Sequence, residues 1–349
     1  MSKLFFNKIK SSKYPYIIAE LGSNHNGDMD LAKELILKAK KAGADCVKFQ
    51  SWTKNTIFSK IKYEQNYFLK DDYRNKNINL EKIVDKYSIS ENQLLDMRNF
   101  AKKNNIDFAS TPFSVNELNF LTNKLKPPFI KVASMDLNNY PFLEKIAQKK
   151  IPIVLSTGLS NLDEISKAIR LIEQAGNKMI IILHCVAIYP VKDKDVNLNN
   201  IDTLKKIFPY PIGFSDHSLG FAIPLAAVTK KIKVLEKHFT LNKKMEGWDH
   251  AVSADFHEMS IICKESKRII NSLGSQFIQT PENTLRKNEF RRSIIAKNNI
   301  RKGKKITNND LDYKRPGIGI EPGETKYILG RKTKKVIEKD EIIKFEDLE

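Results

Sequence analysis

Short apolar runs alternate along the chain with longer stretches whose apolar residues recur every three or four positions. The short runs are Tyr16 to Glu20, Asp45 to Phe49, Ile106 to Ser110, Phe129 to Ala133, Pro152 to Leu155, Met179 to Cys185, Pro211 to Phe214 and Lys233 to Lys237. Their length and their Val, Ile and Phe content predict buried parallel strands. The stretches between them predict helices. Leu31, Leu35, Ala39 and Ala42 share one helical face, and Gly43 ends that helix. Ser90 to Gln93 and Ser114 to Glu117 match capping boxes. Pro141 suits a helix start, Ser160 and Asp163 are placed to cap the helix that ends near Gly176, and a long helix runs from Asp255 to Leu273 before Gly274. Ser51 to Tyr87 is polar, charged and weakly periodic, and reads as an insertion over one face.

Eight strand–helix alternations predict a (β/α)8 TIM barrel, an α/β fold, over residues 1–280. A doubly wound open sheet is the structural alternative. It places a glycine-rich phosphate loop after its first strand, and GSNHNG at 22–27 lacks that spacing. The barrel also accounts for where polar residues fall. Glu20, Lys48, Gln50, Thr111, Lys131, Ser134, Ser156, Tyr189, Ser215, His217 and His238 all follow strand ends. In a barrel such positions converge on one mouth, where catalysis occurs.

From about Pro281 the pattern changes to short β-branched runs and glycine turns. Ile300, Ile306 and Asp310-Leu311 are echoed by Ile337, Ile343 and Asp347-Leu348. A small, mostly-β domain, internally duplicated, is expected over residues 281–349. At that size it has little core of its own and is expected to dock on something.

Composition narrows the class. The net charge is +19, yet the lysines are spread over nearly every segment, without a dense basic tract interleaved with aromatics. That argues against nucleic acid and for a solvated surface whose field draws in small anions. No run of about 18 apolar residues exists to span a membrane, and the N-terminus has no signal-peptide pattern. Cys46, Cys185 and Cys263 are odd in number and far apart, as reduced thiols in a cytoplasmic protein would be.

His217 and His238 end the seventh and eighth runs, with an apolar helical segment between them. Adjacent parallel strands lie about 4.8 Å apart, so both imidazoles can reach one ion. Two histidines that merely cap strands are the alternative. A metal there would polarise a carbonyl. Lys48 and Lys131, with Ser134, Ser156 and Ser215, suit a phosphate and a carboxylate. Glu20 and Asp249 suit acid–base work or hydroxyl binding. Phosphate, carboxylate and a metal-bound aldehyde together describe a phosphoenolpyruvate condensation.

The chain resembles the sialic acid (nonulosonic acid) synthase family in IIAELGSNHNGD, AGADCVKFQ, STPF, IKVAS, LSTG, LHC with IYP, IGFSDH, LEKHFT and YKRPGIGI, in the family's order and over nearly the whole chain. The resemblance implies condensation of phosphoenolpyruvate with an N-acylated amino-hexose aldehyde, releasing phosphate. It implies a divalent ion, most often Mn²⁺ with Mg²⁺ or Co²⁺ as alternatives, on His217 and His238. Lys48, Thr111, Lys131, Ser134, Ser156 and Ser215 match groups that bind phosphoenolpyruvate, and Glu20, Gln50, Tyr189 and Asp249 match groups around the sugar. The last domain is similar to the family's antifreeze-like (SAF) domain. Its Arg315 matches an arginine that one subunit inserts into the other's barrel, which implies a homodimer with a swapped C-terminal domain. Three stretches depart from the sialic acid pattern. Ser134-Met135-Asp136 stands for Ser-Gly-Glu, with the shorter Asp136 carboxylate expected still to serve the metal's water shell; Val186-Ala187 stand for a polar pair, and Trp248 for a proline before Asp249. Trp248, Val186 and Ala187 make the mouth more apolar and favour a 6-deoxy or additionally acetamidated sugar of the legionaminic type over N-acetylmannosamine. The competing expectations are a barrel that condenses phosphoenolpyruvate with a phosphorylated sugar, and a non-enzymatic basic binding protein.

Overall fold

The computed structural model describes residues 2–65, 79–278 and 280–349. It comprises two compact units, Met1–Gly274 and Ser275–Glu349.

The first unit carries eight parallel strands: β1 (Tyr16–Gly22), β2 (Cys46–Ser51), β3 (Asp107–Pro112), β4 (Ile130–Val132), β5 (Ile153–Ser156), β6 (Ile180–Cys185), β7 (Ile212–Asp216) and β8 (Val234–His238). Hydrogen-bonded order runs β3-β2-β1-β8-β7-β6-β5-β4. The outermost strands β3 and β4 lie alongside each other without ladder bonds and nearly close the barrel. Gly213 faces inward, where a Cβ would come within 2.5 Å of Leu183 Cδ2 and 2.6 Å of Val234 O, so only glycine fits there.

Helices form where the periodicity placed them. A helix α1 (Ser2–Ser11), which the sequence reasoning did not anticipate, precedes β1. Next comes α2 (Met29–Ala42), whose Ala32, Leu35, Ile36, Ala39 and Ala42 are buried. Gly43, at φ +100°, closes α2 by donating its N–H to Ala39 O and Lys40 O. The loop after β2 carries α3 (Lys54–Ile57), α4 (Lys60–Gln65) and α5 (Leu80–Tyr87) before α6 (Glu91–Lys103). Then follow α7 (Val115–Phe120), α8 (Tyr140–Gln148), α9 (Leu162–Gln174), α10 (Asp193–Val196), α11 (Asn199–Ile207), α12 (Ala222–Thr229) and α13 (Phe256–Ser272). Ser90 and Gln93 form the expected capping box on α6. On α7 only half of the expected box forms: Ser114 Oγ accepts from Glu117 N, while the Glu117 carboxylate turns to Phe113 N and Thr56 Oγ1. On α9 the cap is Asn161, with Glu164 completing the box, rather than Ser160 and Asp163.

Two apolar clusters organise the barrel. The larger lies between strands and helices. The smaller fills the floor, where Tyr16, Ile18, Cys46, Ala109, Phe129, Val154, Ile181, Leu183 and Val234 meet Phe5 and Ile9 of α1. Phe5 stacks on Phe129 at 5.4 Å and meets Tyr16 edge-on at 5.3 Å. The stretch 51–87 differs from its polar expectation. Leu80, Ile83, Val84 and Tyr87 recur at helical spacing on α5 and form a separate cluster with Trp52, joined by Phe58, Phe113 and Trp248. Residues 66–78 of that stretch lie outside those described. Among the described residues no helix is long and apolar enough to cross a membrane.

The second unit begins with α14 (Thr284–Phe290) and pairs β9 (Ser293–Ala296) antiparallel with β10 (Leu311–Lys314). It does have a core, contrary to expectation: Ile294, Ala296, Ile300, Ile306, Leu311, Ile320, Ile328, Ile337, Ile343 and Leu348 pack together. The internal repeat explains how so short a chain achieves this. Ile300 bridges its counterpart Ile337, and Asp310 and Asp347 each cap a 3-10 turn, accepting from Thr307 N at 3.0 Å and Lys344 N at 2.9 Å.

Candidate functional site

Strand pleating sends alternate residues to opposite faces. On β8, Val234 belongs to the floor cluster, so Glu236 and His238 point inward above it. The same parity brings in Glu20 above Ile18, Lys48 and Gln50 above Cys46, and Thr111 above Ala109. It likewise lifts Lys131 above Phe129, Ser156 above Val154, Cys185 above Leu183, and Ser215 and His217 above Gly213. These side chains line one cavity of about 310 Å³ at the C-terminal end of the strands, together with Ser134, Tyr189, Trp248 and Asp249.

The polar layer is tightly cross-linked. Lys131 Nζ donates to Ser156 Oγ at 2.7 Å and Val132 O at 3.0 Å, and lies 3.7 Å from Glu236 Oε1. Ser215 Oγ donates to Glu236 Oε1 at 2.9 Å. Lys48 Nζ pairs with Glu20, donates to Thr111 Oγ1 at 3.1 Å and lies 3.8 Å from Glu236 Oε2. Gln50 Nε2 donates to Glu20 Oε1 at 3.0 Å, and Trp52 Nε1 fixes Gln50 through its Oε1 at 2.9 Å. Gly158 N donates to Ser134 Oγ at 3.1 Å. Ser23 Oγ donates to Asp249 Oδ2 at 3.3 Å.

Burial drives the ionisable groups apart. It lowers Lys131. At Lys48 burial has the same effect, but Glu20 and Glu236 outweigh it and raise the ammonium's pKa. Burial raises Glu20 above the usual carboxylate range. Burial would raise Glu236 too, but Lys131 and Lys48 hold it down at about 2. The site therefore offers one carboxylate fixed as an anion and one suited to carry a proton, the pattern that marks acid–base assignments.

His217 and His238 face the same cavity with ring centroids 5.5 Å apart, and Tyr189 stands over them at 4.0 Å and 5.8 Å. His217 Nδ1 lies 2.7 Å from Val186 O; carrying the hydrogen there leaves Nε2 its lone pair. Burial opposes a charged His217, but Cys185 beside it moves the pKa up. Burial holds His238 at about 4, hence neutral. Its Nδ1 is buried without a hydrogen-bond partner and lies 3.8 Å from Asp249 Oδ2. The two imidazoles offer a divalent ion two nitrogen ligands. Among the described residues no three such donors converge, so water and substrate oxygens would complete the shell, as in open catalytic sites.

Twelve of the fourteen residues singled out from sequence line the cavity. Asp136 does not: it follows Met135 in a 3-10 turn, half-buried, and its carboxylate accepts from Asn139 Nδ2 at 3.1 Å. Met135 takes the place on the wall. Arg315 belongs to the second unit, exposed, with its guanidinium 5.1 Å from the Phe290 ring. Sequence reasoning missed Glu236, although its place two residues before His238 on one strand was a sufficient signal. It also missed the apolar wall of Ile57, Phe58 and Phe113. A larger neighbouring cavity of about 640 Å³ shares Leu159, Cys185 and Ala187 but holds none of the lysines or carboxylates just described.

Comparison with known proteins identifies the family. The N,N'-diacetyllegionaminic acid synthase of Campylobacter jejuni is 38% identical over 336 residues, 95% of this chain and 99% of that one. The N-acetylneuraminate-9-phosphate synthase of Homo sapiens is 34% identical, covering 94% and 91%. The crystal structure of an N-acetylneuraminic acid synthetase from Leptospira borgpetersenii superposes with a TM-score of 0.69 at 34% identity, covering 77% of this chain and 88% of that one. A SAF domain model matches residues 291–349 and the NeuB family model matches residues 35–277, and the chain belongs to the NeuB family.

Proposed function

We propose that this chain is a nonulosonic acid synthase that condenses phosphoenolpyruvate with an N-acylated amino-hexose aldehyde of the legionaminic type and releases phosphate. The observation that carries the reading is the layer of Lys48, Lys131 and Glu236 beside the His217–His238 pair. Lys131, with Ser134, Ser156 and Ser215, would hold the phosphate, and Lys48 with Thr111 the carboxylate. C3 of phosphoenolpyruvate bonds to the aldehyde carbon, whose oxygen takes a proton; water adds at C2 and phosphate leaves. Glu20, whose affinity for a proton burial raises while Lys48 and Gln50 hold its carboxylate, would exchange that proton. Tyr189 and Asp249 would orient the sugar. His217 and His238 would hold a divalent ion, Mn²⁺ by preference, which when bound polarises the aldehyde oxygen.

The wall of Ile57, Phe58, Phe113 and Trp248 supports a sugar with a methyl or acylated edge, because a hydroxyl buried there without a partner costs roughly 1–3 kcal/mol. Among the described residues the lining contains no arginine for a second phosphate. The second unit exposes Phe277, Ile278, Leu285, Phe290 and Ile318, with Arg315 over the Phe290 ring, which supports a homodimer with the C-terminal domain swapped onto the partner. Three buried free cysteines suit the cytoplasm.

Phosphate release from phosphoenolpyruvate tests the reading, with a panel of diacetamido-6-deoxy-hexoses, N-acetylmannosamine and its 6-phosphate. Release with the first class is expected, abolished by chelation and restored by Mn²⁺. His217→Ala and His238→Ala should each remove most turnover, with little further loss in the double variant, since the two act as a unit. Faster turnover of N-acetylmannosamine refutes the sugar class, and full activity in excess chelator refutes the metal.

A further inference from the structure

Asp216 and Lys237 lie between the site residues of β7 and β8. Ser215 and His217 face the cavity, as do Glu236 and His238, so the pleat sends Asp216 and Lys237 to the other side of the barrel wall. The two are register partners, and their side chains meet at 2.6 Å with 0% and 1% exposure. Lys237 Nζ also donates to Ser218 O at 2.7 Å, and Asp216 Oδ1 accepts from Ser218 N at 2.9 Å. The chain on both sides of His217 is thereby tied to the residue that precedes His238. The His217 carbonyl is itself held, by Val191 N at 3.1 Å.

A buried ion pair contributes little net stability, because desolvation offsets most of its attraction, while its geometry is sharply defined. Nothing in the proposed chemistry touches this pair. We propose that Asp216 and Lys237 are positioning residues that clamp the ends of β7 and β8 so that His217 and His238 keep the separation a divalent ion requires. The inference rests on the metal reading given above. It assigns the pair the part that partners behind a metal ligand play: fixing the ligand rather than meeting the substrate.

The test is Mn²⁺ binding, followed by the electron paramagnetic resonance of the free ion, in the full chain and two variants. In Asp216→Leu/Lys237→Met both charges are replaced by apolar groups, a change that usually leaves stability unaltered or improved. Thermal unfolding checks that the variant is folded. The Mn²⁺ dissociation constant is expected to rise ~10–100-fold, the usual effect of losing a partner behind a metal ligand. The phosphoenolpyruvate dissociation constant, measured by calorimetry without metal, should stay within about threefold, since its lysines stand on the opposite face from the change. A folded double variant with wild-type Mn²⁺ affinity overturns the clamp. Should the double variant fail to fold, Asp216→Asn decides. It keeps an acceptor for Ser218 N but gives up the charge, and unchanged affinity there also overturns the proposal. A wild-type chain that binds no Mn²⁺ sinks the metal reading and the clamp with it. A wild-type chain that binds while the variants match it sinks the clamp alone.

Discussion

Lys131 and Glu236 form one buried contact that bears on both folding and the proposed binding. Lys131 is stripped of water and held by Ser156, Val132 O and Glu236. Removing the cation alone leaves Glu236 with Lys48 as its remaining lysine. Lys131→Met is therefore expected to cost about 3 kcal/mol of stability, the usual penalty for breaking a buried pair. Adding Glu236→Leu should return most of that stability, because the uncompensated charge is gone. Phosphoenolpyruvate affinity should fall at least ~10-fold in both variants, since a desolvated charge pair to the ligand is lost in each. Denaturant titration and calorimetry separate the two effects; recovery of affinity in the double variant would refute the assignment. Residue chemistry was largely legible in the sequence. Lys48, Lys131 and His238 announced themselves by type and by their place on the predicted strands. Glu236 was passed over because it stands inside an apolar run, where the pleat and not the strand end decides its direction.

Among the elements, the strands and their connecting helices follow from periodicity to within a few residues, since each strand is buried on both faces and each helix on one. The segment after β2 was harder to read. Its amphipathic helix α5 buries Leu80, Ile83, Val84 and Tyr87 not against the barrel's main core but in its own cluster with Trp52. Trp248, from the loop after β8, stacks on Trp52 at 5.6 Å and meets Tyr87 edge-on at 5.7 Å. No local pattern links residues so far apart in the chain. This cluster supplies the apolar wall of the cavity, so its substitutions should act on the sugar and spare phosphoenolpyruvate. Phe58→Ala is expected to raise the KM for a 6-deoxy sugar roughly 10-fold, about the effect of one to two lost methylenes in a pocket, with unchanged KM for phosphoenolpyruvate. Equal shifts in both constants would show that α3 to α5 shape the whole mouth rather than one wall.

At the scale of the whole molecule, two units divide the work differently from the way their sizes suggest. The second unit has a self-sufficient isoleucine core built from a repeat, so its exposed apolar residues are not left over from incomplete folding. Phe277, Ile278, Leu285 and Phe290 precede the repeat, and Arg315 lies against Phe290. A sequence shows that such residues are apolar; it does not show that the fold leaves them outside. Arg315→Ala is expected to raise the KM for the sugar at least ~10-fold, the cost of a lost charge-assisted bond, while leaving the proposed dimer and the thermal midpoint unchanged. Sedimentation and kinetics check it together. A fully active monomer at assay concentration would refute the swapped arrangement.

The helix that floors the barrel, α1, is synthesised long before the strands it must seal. Phe5 and Ile9 share one cluster with Phe129 and Val234. At about 5–20 residues per second, the roughly 225 residues between Ile9 and Val234 take on the order of tens of seconds to emerge. Until then the floor lacks its last strand, and α1 can complete it only through a contact of high sequence separation, whose loop entropy is met once the ring exists.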